Sequence, residues 1–285
     1  MLKTEISSPS GKVVTIGPGL PTVIIGERIN PTGKKLFAEK LIRGDLTIIQ
    51  EEALRQVAAG ADILDVNVGA ARVDEPKLLA EAVQLISRVV DVPLCIDSSK
   101  PEALEAALQV YRGKALINSV TGEEQSLSRM LPLVKEYRAA VIGLCMDENG
   151  IPAGAAERLR IARKILERAE KEGISAADVI IDCLAMTVAS DQGAALTTLE
   201  AMRMVKKELG VNLTLGASNV SFGLPDRRTI NMAFFALAIE AGLTCAILDP
   251  TSPGIRRLVR ATDLLLGYDE WALRYIDDTR RYPEQ

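Results

Sequence analysis

Short apolar runs alternate with longer amphipathic stretches along nearly the whole chain. The apolar runs are rich in β-branched residues and predict eight strands, at residues 22–26, 62–66, 93–96, 115–117, 140–145, 178–181, 213–216 and 244–248. In the longer stretches apolar residues recur three or four positions apart, which gives an α-helix one buried stripe. This spacing predicts a helix after each strand, at residues 45–59, 75–90, 101–111, 124–137, 155–172, 193–209, 226–241 and 252–266.

Eight strand–helix units over about 250 residues favour an α/β protein with a (β/α)8 TIM barrel. A doubly wound open sheet has the same alternation. However, neither glycine-rich phosphate-binding motif opens a predicted helix, so the nucleotide-binding versions of that sheet lose support. Residues 1–21, which contain several Gly and Pro residues, are predicted to form an N-terminal arm or hairpin. Residues 22–285 contain no linker and are predicted to form a single barrel domain.

The composition is that of an ordinary globular protein, with 48% hydrophobic and 25% charged residues. The formal net charge of −4 and the lack of a basic tail argue against a nucleic-acid partner. No apolar run approaches the roughly 18 residues that span a bilayer, and the first residues do not begin a signal peptide. We therefore expect no membrane association and a cytoplasmic location.

The chain contains no histidine, which excludes a Ser-His-Asp triad and histidine metal ligands. Its four cysteines, Cys95, Cys145, Cys183 and Cys245, are far apart and form no C-x-x-C pair. We therefore predict no metal site and no disulfide, and we interpret the cysteines as buried small apolar residues.

Polar residues follow the predicted strands where those strands end. Asp or Asn directly follows five of these ends, as Asn67, Asp97, Asn118, Asp182 and Asp249, and stands within four residues of the other three, as Asn30, Asp147 and Asn219. Each of them alone could be a helix N-cap. In a barrel of parallel strands, however, all the carboxyl ends meet at one rim, which is where the active sites of such barrels lie.

A rim of carboxylates and carboxamides suits a neutral ligand rich in N–H donors. A carboxylate accepts two parallel hydrogen bonds from a ring N–H and an exocyclic amine, and Asn both donates and accepts. Pterins and guanine-like heterocycles present such an edge. A phosphate site near Gly254 and Arg256 is a weaker possibility.

Six segments on successive strands resemble those of the pterin-binding methyltransferase family. They are G-E-R-I-N-P-T-G, D-V-N-V-G, C-I-D-S-S, I-N-S-V-T-G, I-I-D and S-N-V-S-F-G-L-P, in the order of the family. The family includes methyltetrahydrofolate:corrinoid protein methyltransferases and the folate domain of cobalamin-dependent methionine synthase. The similarity runs from Val23 to about Leu266. It implies a (β/α)8 barrel, a homodimer, and methyl transfer between N5 of tetrahydrofolate and the cobalt of a corrinoid (cobalamin).

The resemblance also implies roles for individual residues. Asp97, Asn118 and Asp182 would bind the amino-pyrimidine side of the pterin. Asn219 would form a hydrogen bond near N5, and Arg227 would lie against the pterin and the rest of the folate. The remaining substrate-binding residues, in motifs that line the same pocket, would be Glu27, Asn30 and Asn67. We assign catalysis to Asn219, supported by a water network that reaches Asp182. Phe222 departs from the family, since methyltransferases of corrinoid iron–sulfur proteins carry Gln there.

The absence of histidine bears on the cofactor. Corrinoid proteins of this kind ligate cobalt through the His of a D-x-H-x-x-G motif, so the corrinoid is expected on a partner protein. The paired cysteines that hold the zinc of methionine synthase are also absent.

Three alternatives remain. Dihydropteroate synthase shares the pterin barrel, but its late Lys and Ser-x-Arg-His motifs have no match here. A Schiff-base aldolase would need Lys100, which precedes Pro101 at a helix start and is more simply interpreted as an exposed lysine. A non-catalytic folate-binding subunit would have the same sequence pattern.

Overall fold

A computed structural model describes residues 2–281 of the chain. Eight parallel strands close into a barrel in the order β10-β3-β4-β5-β6-β7-β8-β9. These strands are β3 (Val23–Ile29), β4 (Ile63–Val66), β5 (Leu94–Asp97), β6 (Leu116–Thr121), β7 (Ala140–Leu144), β8 (Val179–Asp182), β9 (Asn212–Gly216) and β10 (Cys245–Leu248). The predicted (β/α)8 barrel is confirmed, and closure of the sheet rules out the open doubly wound alternative.

The helices form the outer layer. They are α1 (Lys35–Ile42), α2 (Thr47–Ala58), α3 (Glu75–Val89), α4 (Pro101–Val110), α5 (Glu124–Glu136), α6 (Ala155–Lys171), α7 (Ala194–Leu209), α8 (Arg227–Ala241), α9 (Ile255–Leu265) and α10 (Leu273–Arg281). Helices α2 to α9 correspond to the eight predicted helices, whereas α1 and α10 were not predicted. No helix between residues 2 and 281 combines the length and the apolar character that a membrane span requires.

A short hairpin precedes the barrel and covers its amino-terminal end. Its strands, β1 (Thr4–Ser7) and β2 (Val13–Ile16), pair antiparallel. Ile6 and Ile16 are fully buried in one cluster with the side chains that fill the barrel. Asn212 of β9 donates to Thr4 Oγ1 at 2.9 Å and to the Ile16 carbonyl at 3.1 Å. Since the hairpin seals this end, the opposite end provides the accessible mouth.

The predicted domain limits, 1–21 and 22–285, reach beyond the described range. Residue 1 and residues 282–285 lie outside the described residues. Within that range the hairpin is continuous with the core of the barrel, as the shared cluster of apolar side chains shows.

Two strands run further toward the mouth than predicted. β3 continues through Glu27 to Ile29 with a shift of register after Gly26, and β6 continues to Thr121 with a shift after Asn118. Such irregularities redirect side chains at barrel rims. Most of the extra residues, namely Glu27, Arg28, Asn118, Ser119 and Thr121, are polar, which explains why hydrophobic patterning ended these strands too early.

All four cysteines are buried free thiols. Cys95 and Cys245 lie on β5 and β10, while Cys145 and Cys183 directly follow β7 and β8. Their prediction as small residues of the core is confirmed.

Candidate active site

Acid and amide side chains from β4, β5 and β6 form direct contacts at the mouth of the barrel. Asn67 donates from Nδ2 to Asp97 Oδ2 at 2.9 Å, and Asn118 donates from Nδ2 to Asp65 Oδ1 at 3.1 Å. Asn67 Oδ1 also accepts from the backbone N–H of Gly69 at 2.8 Å, which fixes the orientation of the amide. The structure therefore places three of the predicted residues, Asn67, Asp97 and Asn118, in two neighbouring hydrogen-bonded pairs.

Asp65 belongs to one of these pairs but has no role in the sequence-based assignment. Its side chain is buried, and burial together with the nearby Asp97 carboxylate raises its pKa. Burial also raises the pKa of Asp97, and the hydrogen bond from Asn67 partly opposes that shift. The sequence signal that could have revealed Asp65 is its spacing, because residues 65 and 67 alternate onto the same face of a strand.

Asp182 at the end of β8 is held by two backbone N–H groups. Leu184 N donates to Oδ1 at 2.7 Å and Gly216 N donates to Oδ2 at 3.4 Å, so the carboxylate joins β8 to β9. Burial nevertheless raises its pKa to about 6. Both oxygens retain a further lone pair, so this carboxylate can still accept hydrogen bonds from a ligand.

Beneath the loop after β8 lies a buried arginine that sequence reasoning missed. Arg158 of α6 donates from Nη1 to the carbonyls of Cys183 and Leu184, at 2.9 and 2.8 Å, and to Thr198 Oγ1 at 3.2 Å. Leu184 has a φ of 62°, an unfavourable value for a residue with a branched side chain. Arg158 therefore stabilises the turn whose N–H group orients Asp182.

Glu27 lies at the end of β3, on another part of the rim. Ser218 Oγ donates to its Oε1 at 3.5 Å. Burial raises its pKa to about 7, the Asp249 carboxylate adds to this, and Arg28 and Lys34 oppose it. Arg28 Nε lies 3.3 Å from Asp249 Oδ2. This part of the mouth can therefore hold or release a proton near neutral pH.

Asn219 and Arg227 lie on the loop and helix that follow β9. Asn219 is exposed in a 3-10 turn, Ala217–Ser221, and its side-chain amide has no hydrogen-bond partner among residues 2–281. Arg227 donates to the Ser218 carbonyl at 2.8 Å and to Ser221 Oγ at 3.1 Å, and its guanidinium lies 5.6 Å from the centre of the Phe222 ring. The amide is thus available to a ligand, while the guanidinium is oriented by its own loop.

Two cavities open at the mouth. The first, of about 360 Å³, is lined by Asp97 and Asn118 and by residues of the β6–α5 region. The second, of about 230 Å³, is lined by Glu27, Ser218 and Arg227 together with residues of α8 and α9. Four of the eight predicted site residues therefore line these cavities, Asp97 and Asn118 in the first and Glu27 and Arg227 in the second. The first cavity has the volume of a small-molecule site.

Three other residues considered from the sequence have local contacts. Asn30 Oδ1 accepts from the backbone N–H of Thr32 at 2.9 Å, which caps a turn. Lys100 is exposed and pairs with Glu75 at 2.9 Å. Arg256 forms an ion pair with Asp278 and donates to the Ala59 carbonyl at 3.2 Å, contacts that hold it away from a phosphate site near Gly254.

Comparison with known proteins identifies the family. The family described as pterin binding enzyme matches residues 26–249, which include the whole barrel mouth from Gly26 to Asp249. The chain belongs to the pterin-binding enzyme family. The predicted membership in its methyltransferase branch is confirmed by a methylcorrinoid:tetrahydrofolate methyltransferase of Eubacterium limosum. That enzyme is 32% identical over 261 residues, which cover 89% of this chain and 94% of the relative.

Methionine synthases contain a similar segment within a much longer protein. The enzyme of Mycobacterium leprae is 34% identical over 245 residues, which cover 80% of this chain and 20% of that protein. The similarity therefore extends to about one fifth of a methionine synthase. Together these relatives confirm that this pterin-binding protein is an enzyme of the methyltransferase class.

Solved structures of dihydropteroate synthases share the fold. That of Xanthomonas albilineans with 4-aminobenzoic acid has a TM-score of 0.67 at 20% sequence identity and covers 94% of this chain and 99% of that one. The enzyme of Clostridium difficile has a TM-score of 0.65 at 19% identity and covers 87% of this chain and 98% of that one. At these identities the likeness concerns the barrel fold alone.

Proposed function

We propose that this protein transfers a methyl group between N5 of tetrahydrofolate and the cobalt of a corrinoid carried by a separate protein. The observation that carries the proposal is the pair of neighbouring acid–amide hydrogen bonds, Asn67 to Asp97 and Asn118 to Asp65, at a barrel mouth whose opposite end is closed by the hairpin. The relative that matches over nearly its full length, a methylcorrinoid:tetrahydrofolate methyltransferase, supports the same reaction.

These acid and amide side chains suit the amino-pyrimidine edge of a pterin. Asp97 and Asn118 line the larger of the two cavities at the mouth, and Asp182 lies on the same rim with both oxygens oriented by backbone N–H groups. A carboxylate fixed in this way accepts paired N–H groups without losing side-chain entropy when the ligand arrives. We assign these three residues to pterin binding, with Asn67 orienting Asp97 from the side.

The chemical step requires an acid at N5. When Co(I) displaces the methyl group in line, the C–N bond breaks and its electron pair stays on N5, which then takes up a proton. A tertiary amine is a poor leaving group unless that proton or an equivalent hydrogen bond is supplied. We assign this hydrogen bond to Asn219, whose amide is exposed at the rim and free of contacts within the described part of the chain.

We assign the proton supply to a water network that would connect Asn219 with two carboxyls, the buried Asp182 and the half-buried Glu27. Asp182 has a pKa raised to about 6 and Glu27 a pKa raised to about 7, in both cases chiefly by burial. Groups with pKa values near the working pH exchange protons readily in either direction. Transfer from methyltetrahydrofolate to cobalt and the reverse transfer can use the same site. Arg227, which lines the second cavity with Glu27, is assigned to the remainder of the folate.

The chain lacks histidine, so we assign the corrinoid to a partner protein that presents its cobalt at the mouth. In this proposal the protein itself holds folate as substrate and binds no metal. We also propose that it acts as a homodimer.

Free cobalamin allows the reaction to be tested before the partner is known. The protein is mixed with chemically reduced cob(I)alamin and 5-methyltetrahydrofolate, and the cobalt spectrum is followed to methylcob(III)alamin against a protein-free control. Tetrahydrofolate with methylcob(III)alamin tests the reverse direction. Calorimetric titration with 5-methyltetrahydrofolate is performed in parallel.

We expect both folate binding and transfer. Binding without transfer in either direction would instead identify a non-catalytic folate-binding subunit. Absence of binding would reject the pterin site. Formation of dihydropteroate from 4-aminobenzoate and a dihydropterin diphosphate would favour the dihydropteroate synthase alternative, which the structural neighbours support only through the shared fold.

A further inference from the structure

A buried acid from α3 lies behind the acid–amide pairs of the barrel mouth. Glu75 is the first residue of this helix, and it is only 8% exposed. An acid in the first turn stabilises the helix dipole from the surface, where it remains hydrated. Burying a carboxylate costs free energy unless it is paired and hydrogen-bonded. The contacts that Glu75 makes in its buried position therefore indicate what it does.

Both oxygens of Glu75 bind the segment that directly follows Asp97. Ser98 Oγ donates to Oε1 at 2.5 Å, and Lys100 Nζ lies 2.9 Å from Oε2. Ser98 is itself buried, and its Oγ accepts from the backbone N–H of Lys100 at 3.1 Å. The Glu75 carboxylate therefore fixes the turn in which the chain leaves β5, one residue beyond Asp97.

Glu75 also packs close to the residues that orient Asp97 from the other side. A Cβ at Gly69 would lie 3.2 Å from Asn67 Oδ1 and 3.8 Å from Glu75 Oε1, so these three residues pack around one point. The N–H of Gly69 fixes the Asn67 amide, which in turn donates to Asp97. The amide that contacts Asp97 and the turn that follows Asp97 therefore share Glu75 as a neighbour.

Asp97 lies among other acids. Its titratable neighbours include Asp65 on β4, Glu75 on α3 and the Cys95 thiol on its own strand, while β6 contributes the neutral Asn118. Burial is the main cause of the raised pKa of Asp97, and the Glu75 carboxylate adds to it. A nearby negative charge makes a carboxylate hold a proton more strongly. By the same attraction, Glu75 strengthens Asp97 as an acceptor for N–H donors.

Lys100 opposes the charge of Glu75. The hydrogen bond between them raises the pKa of Lys100, so its ammonium stays charged at neutral pH. We propose that Glu75 is a positioning residue for the Asp97 carboxylate, and that the charge balance of the Glu75–Lys100 pair sets how strongly Asp97 binds the substrate. Glu75 acts through Ser98 and through its electric field at Asp97. The proposal rests on the pterin site proposed above.

Calorimetric titration with 5-methyltetrahydrofolate at mildly alkaline pH tests the positioning role. Glu75→Ala removes the acceptor of Ser98 Oγ, so the turn after Asp97 loses its anchor and the affinity should fall about tenfold. Glu75→Gln keeps a side-chain oxygen for Ser98 and should recover most of that loss. Glu208→Gln, in an exposed ion pair on α7, is the matched control and should bind as the wild type does.

The pH dependence of binding tests the charge balance. Asp97 accepts N–H donors as a carboxylate, so the affinity falls as the pH drops through its pKa. Glu75→Gln removes a negative charge and should move this fall to lower pH by about one unit. Lys100→Met removes a positive charge and should move it to higher pH, by about half a unit because the ammonium is more exposed. The titration of the folate itself is common to all the proteins.

Carbon-13 NMR of labelled aspartate carboxyls, with Asp97 assigned through Asp97→Asn, measures the same shifts without folate, and far-UV circular dichroism checks folding. Opposite shifts in Glu75→Gln and Lys100→Met support the proposal, because loss of a purely structural contact has no such sign. Shifts of the same sign, or none, would overturn it, as would equal losses of affinity in Glu75→Ala and Glu75→Gln. A wild-type protein that binds no reduced folate would instead reject the proposed function, and this proposal with it.

Discussion

The Glu27 carboxyl should make the free energy of unfolding depend on pH in an unusual direction. Burial raises its pKa from 4.5 to about 7 in the folded protein, with a further contribution from Asp249. Between these two values the folded state binds more protons than the unfolded state does. The free energy of unfolding therefore falls as the pH rises through this window, and the loss is complete above the folded pKa.

The size of the effect follows from the shift. At 1.36 kcal/mol per pKa unit, moving from 4.5 to about 7 corresponds to roughly 3 kcal/mol at alkaline pH. Glu27 is only partly buried by surface area, so contact with water lowers this figure. We expect about 1–2 kcal/mol between pH 5 and pH 8. Glu27→Gln removes the titration, so the variant should gain this amount relative to the wild type over the same range.

Urea unfolding followed by far-UV circular dichroism at several pH values measures the difference. Buried Asp65, Asp97 and Asp182 act in the same direction in both proteins, so the difference between the curves reports Glu27 together with its smaller effect on the pKa of Asp65. Glu81→Gln, on the exposed side of α3, is the control and should run parallel to the wild type. If the free energy of unfolding changed with pH equally in Glu27→Gln and the wild type, the raised pKa assigned to Glu27 would be refuted.

Three further substitutions test the site and its support. Asn219→Ala should lower kcat by about 10²–10³-fold with folate binding nearly unchanged, since its hydrogen bond strengthens as charge develops on N5. Asp97→Ala should weaken binding of 5-methyltetrahydrofolate by about 1.5–3 kcal/mol in calorimetry, because a charged acceptor is lost. Arg158→Leu should lower the free energy of unfolding in urea by about 2–4 kcal/mol, since the carbonyls of Cys183 and Leu184 lose their donor.

Each of these has its own control or contrary result. Equal losses of folate binding in the Asn219 and Asp97 variants, with unchanged single-turnover transfer in both, would contradict the division of roles between them. Arg163→Leu removes an exposed arginine from the same helix as Arg158 and should cost much less. Similar unfolding curves for the two arginine variants would show that Arg158 does not support the turn after β8.

The barrel could be predicted because its burial pattern is local. Every residue of β8, Val179–Asp182, is buried, and such a run is apolar apart from the final acid. The helices around it carry one apolar stripe each. Neither feature depends on knowing which strands pair, so the eight strand–helix repeats could be predicted from the sequence. A closed barrel was favoured over an open sheet by the lack of a glycine-rich phosphate-binding motif and by the family resemblance.

The parts that escaped prediction depend on contacts between distant segments. The buried side chain of α10 is the acidic Asp278, and its apolar residues face outward. The sequence of this helix therefore lacks the buried apolar stripe from which a helix is predicted. α1 buries only Phe37 and Leu41, too few for a recognisable stripe. The role of Asp65 emerges only when Asn118 reaches across from β6. Periodicity along one segment cannot reveal such contacts.

Because all four thiols are buried, we expect them to resist alkylating reagents in the native protein. Burial raises the pKa of Cys95 and Cys245, so neither thiol ionises while the barrel stays closed. Reaction with iodoacetamide then requires an opening event, and its rate in the native protein measures how often one occurs. The four cysteines lie on or directly after β5, β7, β8 and β10. The order in which they are modified, measured by mass spectrometry, would therefore show which strands of the barrel separate first.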